Sequence, residues 1–189
     1  MTGSSDSRLY VALVHYPVID KNGETIASAV TNLDLHDIAR VCRSYGVRGY
    51  FVITPLADQK ILVNRIVDHW ISGTGGRYNP KRKKALELVH VRDTFEQSVD
   101  EISATEGCRP VTVVTTARRD TGGMTCQRLR EMVESATPVL LVFGTAWGLT
   151  DDFMARADHI LEPLAGTETY NHLSVRSAAA IVVDRLLGR

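Results

Sequence analysis

Three short stretches near the carboxyl end offer bare backbone where a ligand could be held. Residues 144–149 read GTAWGL directly after the apolar run VLLVF, so Gly144, Trp147, Gly148 and Leu149 form a turn at a strand end. A second turn holds Leu161 and Pro163, with Glu162 between them, and a third holds Asn171, His172, Leu173 and Ser174. Such loops present peptide N–H and C=O groups, and a glycine after a strand removes the Cβ that would obstruct the turn or a ligand. Neither GxGxxG nor a phosphate loop with GK[ST] is present. Asp151 and Asp152 follow the first turn, where they would repel a phosphate at a helix start. The chemistry implied is binding of a neutral or cationic organic ligand; taken alone, the first loop reads equally well as a plain strand-to-helix turn.

A second kind of chemistry is written at residues 77–84, RYNPKRKK. Arg77, Lys81, Arg82, Lys83 and Lys84 surround Tyr78, a local positive patch suited to RNA phosphate with an aromatic stacking platform. A solvated surface is the ordinary reading of such a run. The preceding GTGG is expected to make it a mobile arm. Over the whole chain 22 Lys and Arg balance 22 Asp and Glu, so no global field draws it to nucleic acid or membrane, and any polyanion site must be local. The cysteines Cys42, Cys108 and Cys126 are widely spaced without CxxC, which argues against a disulfide framework. The histidines form no HExxH, and no metal is expected. No apolar run nears the roughly 20 residues that span a bilayer. The polar start MTGSSDSR lacks the apolar stretch of a signal peptide, so the expected compartment is the cytoplasm and residues 1–7 are expected to be a disordered tail.

Loops of this kind need a rigid scaffold, and the hydrophobic pattern supplies one. Strands are expected at 8–18, 47–54, 87–91, 111–116 and 139–143, with a short strand end at 160–161. Helices are expected from Leu33 to the stop at Gly46, with Asp34 as N-cap candidate, and at 57–72, 93–105, 127–135 and 173–187, with a short one at 153–157. The alternation implies an α/β domain over residues 8–189, with a parallel sheet covered by helices on both faces. VTVV and VLLVF are apolar without alternation, as strands buried on both faces should be. Ligands of such sheets sit at the carboxyl ends of strands, where Thr115, Thr116 and Ala117 join the turns above.

FGTAWGLT, then ILEPL, then NHLSVRSAAAIVV resembles the last two motifs of the SPOUT superfamily of RNA methyltransferases. TNLDLHDIARVCRSYGV is similar to the superfamily's first motif, with Arg40, Cys42, Gly46 and Val47 at matching positions. With LVHYPV and GGRYNPKR, the whole pattern looks like a small bacterial subfamily, some relatives of which are joined to tRNA guanine-N1 methyltransferase. The resemblance covers nearly all of residues 8–188. It implies an α/β/α fold with a carboxyl-terminal trefoil knot, a homodimer, and S-adenosylmethionine as cofactor. The implied cofactor contacts are Thr115, Thr116, Ala117, Gly144, Trp147, Gly148, Leu149, Ile160, Leu161, Pro163 and Asn171, His172, Leu173 and Ser174. The implied activity is methylation of tRNA or rRNA; the alternative is an RNA-binding protein that kept the fold and lost catalysis. Two departures stand out. Thr145 and Ala146 replace the Glu of many ribose methylases, and Asp34 replaces an Asn six residues before Arg40. The 2′-hydroxyl mechanism therefore does not carry over, and base methylation stays open.

For methyl transfer to RNA, Arg40 is the first candidate for handling substrate, as a fork for phosphate or to polarise the acceptor. Asp34, His36 and Asp37 lie together at a helix start, and Glu162 lies beside the cofactor turn; each is a candidate general base, with capping as the other reading for the aspartates. His15 and Tyr16 end the first strand and are candidates to contact RNA, a buried histidine being the other reading of His15.

Overall fold

The computed structural model describes residues 7–118, 122–167 and 170–188. Apart from Ser7, the tail expected at 1–7 lies outside the described residues. The chain runs β1 (Leu9–Val14), β2 (Val18–Ile19), β3 (Thr25–Ile26), α1 (Asn32–Tyr45), β4 (Gly49–Ile53), α2 (Ala57–Ile71), α3 (Thr74–Tyr78) and α4 (Pro80–Leu86). It continues β5 (Val89–Arg92), α5 (Phe95–Glu106), β6 (Val111–Thr115), α6 (Cys126–Glu134), β7 (Val139–Gly144), α7 (Asp151–Ala155), β8 (His159–Leu161) and α8 (Val175–Leu187). Six strands form one sheet in the order β5-β4-β1-β7-β6-β8, and every pairing in it is parallel.

β1 lies at the centre and is buried on both faces, which explains its unbroken apolar sequence. Leu9, Val11 and Leu13 face a core completed by Leu35 and Ile38 of α1, Leu129 of α6 and Val183 of α8. Tyr10, Ala12 and Val14 face the opposite core, with Ile102 of α5 and Phe153 of α7. This is the expected α/β sandwich, and its carboxyl strand ends all open on one edge.

Several local readings change. The first strand stops at Val14, and the segment expected to extend it to 18 turns into the β2–β3 hairpin. Two-residue strands with an exposed turn carry too little apolar pattern to stand out. The N-cap of α1 is Thr31, whose hydroxyl accepts from the Asp34 N–H at 3.2 Å; Asp34 is one turn inside. The α1 helix ends where Gly46 adopts φ +75°, a left-handed conformation that favours glycine. Most of GTGG lies in α3 and most of the basic run in α4, two short helices packed on α2 rather than a loose arm. A Cβ at Gly75 would lie 2.7 Å from His69 Nε2, so glycine here permits close helix packing and not motion. α7 starts at Asp151, two residues before its expected start, capped by Thr150. β5 and α8 begin two residues later than expected.

Candidate active site

Of the cavities among the described residues, the first opens at the carboxyl ends of β6, β7 and β8 and holds about 530 Å³. β7 ends at Gly144, and the chain turns sharply: a Cβ on Gly144 would meet the Leu149 backbone N at 2.9 Å. The glycine is required by the turn itself. Gly148 takes φ +113°, which a side chain would strain. The hairpin holds this loop from outside: Ile19 N–H donates to Gly148 O at 2.9 Å, and Trp147 N–H to Ile19 O at 3.1 Å.

A polar chain holds it from behind. The Thr145 hydroxyl donates to Val14 O at 2.9 Å and lies 2.5 Å from Ser28 Oγ, which is 3.0 Å from His15 Nδ1. With the Thr145 proton on Val14, Ser28 donates to Thr145. His15 is fully buried, and burial pushes its imidazole down to about 4 against the opposing pull of Asp34 and the Ala29 backbone. Its place is structural, behind the pocket wall, rather than at a surface open to RNA; Tyr16 beside it is exposed.

β8 is aligned by Asp158, which accepts from Thr112 N–H and Oγ1–H at 2.8 and 2.7 Å and from Arg109. Leu161 follows on the pocket wall. The strand segment at Met124 runs alongside, with Met124 N–H donating to Ile160 O at 2.7 Å. α8 is capped by Ser174, whose hydroxyl accepts from Ser177 N–H, and Val175, Ala178 and Val182 of that helix form the floor.

Of the residues expected around the cofactor, the cavity brings together Thr115, Thr116, Ala117, Gly144, Trp147, Gly148, Leu149, Leu161, Asn171, His172, Leu173 and Ser174. Ile160 and Pro163 flank Leu161 but are not on its wall. The wall also holds Ser28, Ala29 and Thr31, which sequence reasoning missed because the hairpin that folds them over β1 was missed. Met154, beyond the motifs, and Leu164, at the end of ILEPL, add apolar surface.

The four expected catalytic residues are divided. Asp34 and Glu162 line the first cavity; His36 and Arg40 line the second. Asp34 is nearly buried, with Oδ2 accepting from the Thr31 hydroxyl at 2.6 Å and Oδ1 from Arg176 of α8 at 3.2 Å. Glu162 is exposed, and its Oε1 accepts from Cys126 N–H at 3.1 Å, at the start of α6. In the basic run, Tyr78 is 91% exposed, Arg77, Lys81 and Lys84 are exposed, and Arg82 and Lys83 are half-buried. Arg118 reaches from the β6 end to Asp151 at 2.6 Å, offsetting one of the acidic charges after the glycine turn.

A parallel sheet whose carboxyl-end loops close on a largely apolar pocket is the arrangement in which α/β proteins bind small molecules. A family model described as SAM-dependent RNA methyltransferase matches residues 8–188, and the chain belongs to that family. A tRNA (guanine-N(1)-)-methyltransferase of Oleidesulfovibrio alaskensis is 46% identical over 95% of this chain and 42% of its own length. The chain thus spans about two fifths of that relative. An uncharacterized protein of Aquifex aeolicus is 38% identical over 97% of this chain and 90% of its own length. The fold matches the SpoU methyltransferase AviRb of Streptomyces viridochromogenes, solved in complex with AdoMet, with a TM-score of 0.60 and 16% identity over 98% of this chain and 58% of that one.

The cofactor of the family is S-adenosylmethionine, and the first cavity fits it. Its volume lies within the roughly 300–1,000 Å³ usual for small-molecule sites. Leu149, Met154, Leu161, Leu164 and Val182 give apolar surface, and loop backbone gives hydrogen bonds.

Proposed function

We propose that residues 8–189 form a single SPOUT domain that transfers the methyl group of S-adenosylmethionine to a nucleotide of tRNA. The observation that carries the reading is the first cavity, where three motif loops and the Thr31–Asp34 pair share one wall. The tRNA substrate is supported by two relatives named as tRNA (guanine-N(1)-)-methyltransferases, which this chain matches over about two fifths of their length. Bound there, the cofactor supplies an electrophilic sulfonium methyl. The loops orient it, and the apolar wall excludes water, so positioning supplies most of the rate. Asp34 takes the acceptor's proton, its carboxylate fixed by Thr31 and Arg176. Arg40, on the neighbouring face of α1, holds RNA phosphate. Glu162 is occupied in holding α6.

The chain works as a homodimer in the cytoplasm, with Trp147 and Leu173, exposed on the wall of the first cavity, supporting a covered interface. Among the described residues no helix is long and apolar enough to cross a membrane. The proposed fold includes the carboxyl-terminal knot that the SPOUT resemblance implies; in the structure α8 packs on α1 and α6. The test combines calorimetry of S-adenosylmethionine binding with nucleoside mass spectrometry of tRNA and rRNA from cells lacking and regaining the gene. One methylated tRNA nucleoside should vanish and return. Asp34→Asn should lower kcat at least tenfold at unchanged cofactor affinity. Absence of cofactor binding at millimolar concentration, or no lost nucleoside, would overturn the proposal.

A further inference from the structure

The second cavity is enclosed by α1, α2 and α4 and holds about 690 Å³, more open to the surface than the first. Three guanidinium groups reach its wall from three helices: Arg40 from α1, Arg65 from α2 and Arg82 from α4. His36 and His69 stand with them. Asp37 is the single carboxylate on the wall, and it faces Arg176 Nε at 3.7 Å. Among the described residues Arg40 and Arg65 have no ion pair. Arg82 lies over the Trp70 ring at 4.5 Å, and Trp70 meets His36 and His69 edge-on at 5.6 and 5.1 Å. His36 Nδ1 is buried and has no hydrogen-bond partner among the described residues.

Positive groups from three elements converge here with little to neutralise them, and such a cleft concentrates anions. The Trp70 face holds the Arg82 guanidinium in place, so less freedom is lost when it grips a ligand. A carboxylate would satisfy one fork. A phosphate offers several oxygens to several forks at once. The placement on α1 adds the last constraint. At about 100° per residue, Thr31 and Asp34 face the cofactor cavity, whereas Asn32, His36 and Arg40 face the other. A strand with one nucleotide at the first cavity passes the amino end of α1 on its way to the second.

We propose that the cavity between α1, α2 and α4 is a phosphate pocket that seats a backbone phosphate of the RNA flanking the target nucleotide, gripped by Arg40, Arg65 and Arg82. The proposal rests on the RNA methyltransferase reading. It is tested in the full chain with Arg65→Gln, an exposed position, and Arg82→Gln, measuring tRNA affinity against salt. Each substitution should weaken binding about tenfold and reduce the slope of log Kd against log salt by about one. Cofactor affinity should stay within about twofold. Arg65→Lys should restore the slope and only part of the affinity, because the charge returns without the fork.

Inorganic phosphate gives an arm independent of RNA. Titrated into the unmodified protein, it should shift the imidazole resonances of His36 and His69 and raise the His36 pKa, which burial and the nearby Arg82 and Arg40 hold below its ordinary value against Asp37. Unchanged slopes in a folded Arg65→Gln protein would overturn the pocket. Phosphate shifts without any effect of the substitutions on tRNA binding would assign the cavity to a free phosphate ligand and overturn the RNA assignment. A protein that binds cofactor but no RNA at low salt would instead remove the functional reading, and this proposal with it.

Discussion

The two cavities share α1 as a common wall and are built from opposite materials. The first is lined by turns, with peptide groups, small residues and aliphatic side chains. The second is lined by long side chains from helix faces, three of them arginines. A backbone-lined pocket is rigid because its shape is that of the turns themselves, and it suits a ligand of fixed form. A pocket of guanidinium forks adapts, and it suits a charge carried on a flexible strand. On the proposed reading each cavity has its own partner, and each can then be damaged separately.

The largest effect should come from the turn. Gly144→Val forces Leu149 away, since the added Cβ would lie 2.8 Å from Leu149 Cγ and 2.9 Å from its backbone N. Cofactor affinity should fall by about a hundredfold or more, about 2.7 kcal/mol at 1.36 kcal/mol per tenfold. If the cavities are independent, low-salt tRNA affinity stays within about threefold. Gly148→Ala isolates the conformational part, since no atom lies within 4 Å of the new Cβ and only φ +113° resists it. It should cost about 1–2 kcal/mol of stability, read as a lower urea midpoint, with a milder loss of cofactor affinity.

The complementary break is Arg40→Ala. Methyl-transfer kcat/KM should fall about a hundredfold, again about 2.7 kcal/mol, while calorimetry finds cofactor binding unchanged. A matching fall in cofactor affinity would show that the two cavities act as one site.

A third prediction concerns how the first cavity is kept in shape. The His15 imidazole titrates near 4 when folded, below its ordinary 6.5, because burial opposes its charge. The unfolded chain therefore takes up a proton first as pH falls. The stability due to neutral His15 is complete above about 6.5 and is lost as pH drops toward 4, by about 3 kcal/mol at most. His36 and His90, also held down chiefly by burial, act in the same direction. Urea midpoints of the unmodified protein should drop between pH 7.5 and 4.5, and His15→Asn should show a smaller drop whatever its absolute stability. Equal drops would show that the His15–Ser28–Thr145 chain does not couple to acid.

The difference between the cavities also explains what was legible in the sequence. The sheet was legible because LYVALV and VLLVFG are buried on both faces and so are uniformly apolar. The turns at Gly144, Leu161 and Asn171 were legible because a close backbone turn leaves a local signature in glycine, proline and capping residues. The second cavity left no such signature: Arg40, Arg65 and Arg82 lie far apart in sequence and meet only because α1, α2 and α4 pack together. The same packing explains why GTGG, which alone reads as a loose arm, is helical. Gly75 and Gly76 lie against His69 and Trp70, contacts that only the folded helix pair creates. Ser28 and Thr31 were missed with the short hairpin that carries them.

The smallest expected effect sharpens the comparison from the surface side. The basic run places Lys81 and Lys84 in solvent, while Arg82 between them turns inward onto Trp70. Exposed charges more than about 8–10 Å from a phosphate are largely screened at physiological salt, whereas charges in a shared cavity act at contact. Lys81→Gln with Lys84→Gln should therefore weaken tRNA binding by only about twofold to threefold at 0.15 M salt, approximately, with most of that difference disappearing at roughly 0.3 M. Arg82→Gln should keep its larger deficit over the same range. If the two lysines matter as much as Arg82, the affinity of this region comes from a diffuse positive surface, and the three-helix cavity is incidental to RNA binding.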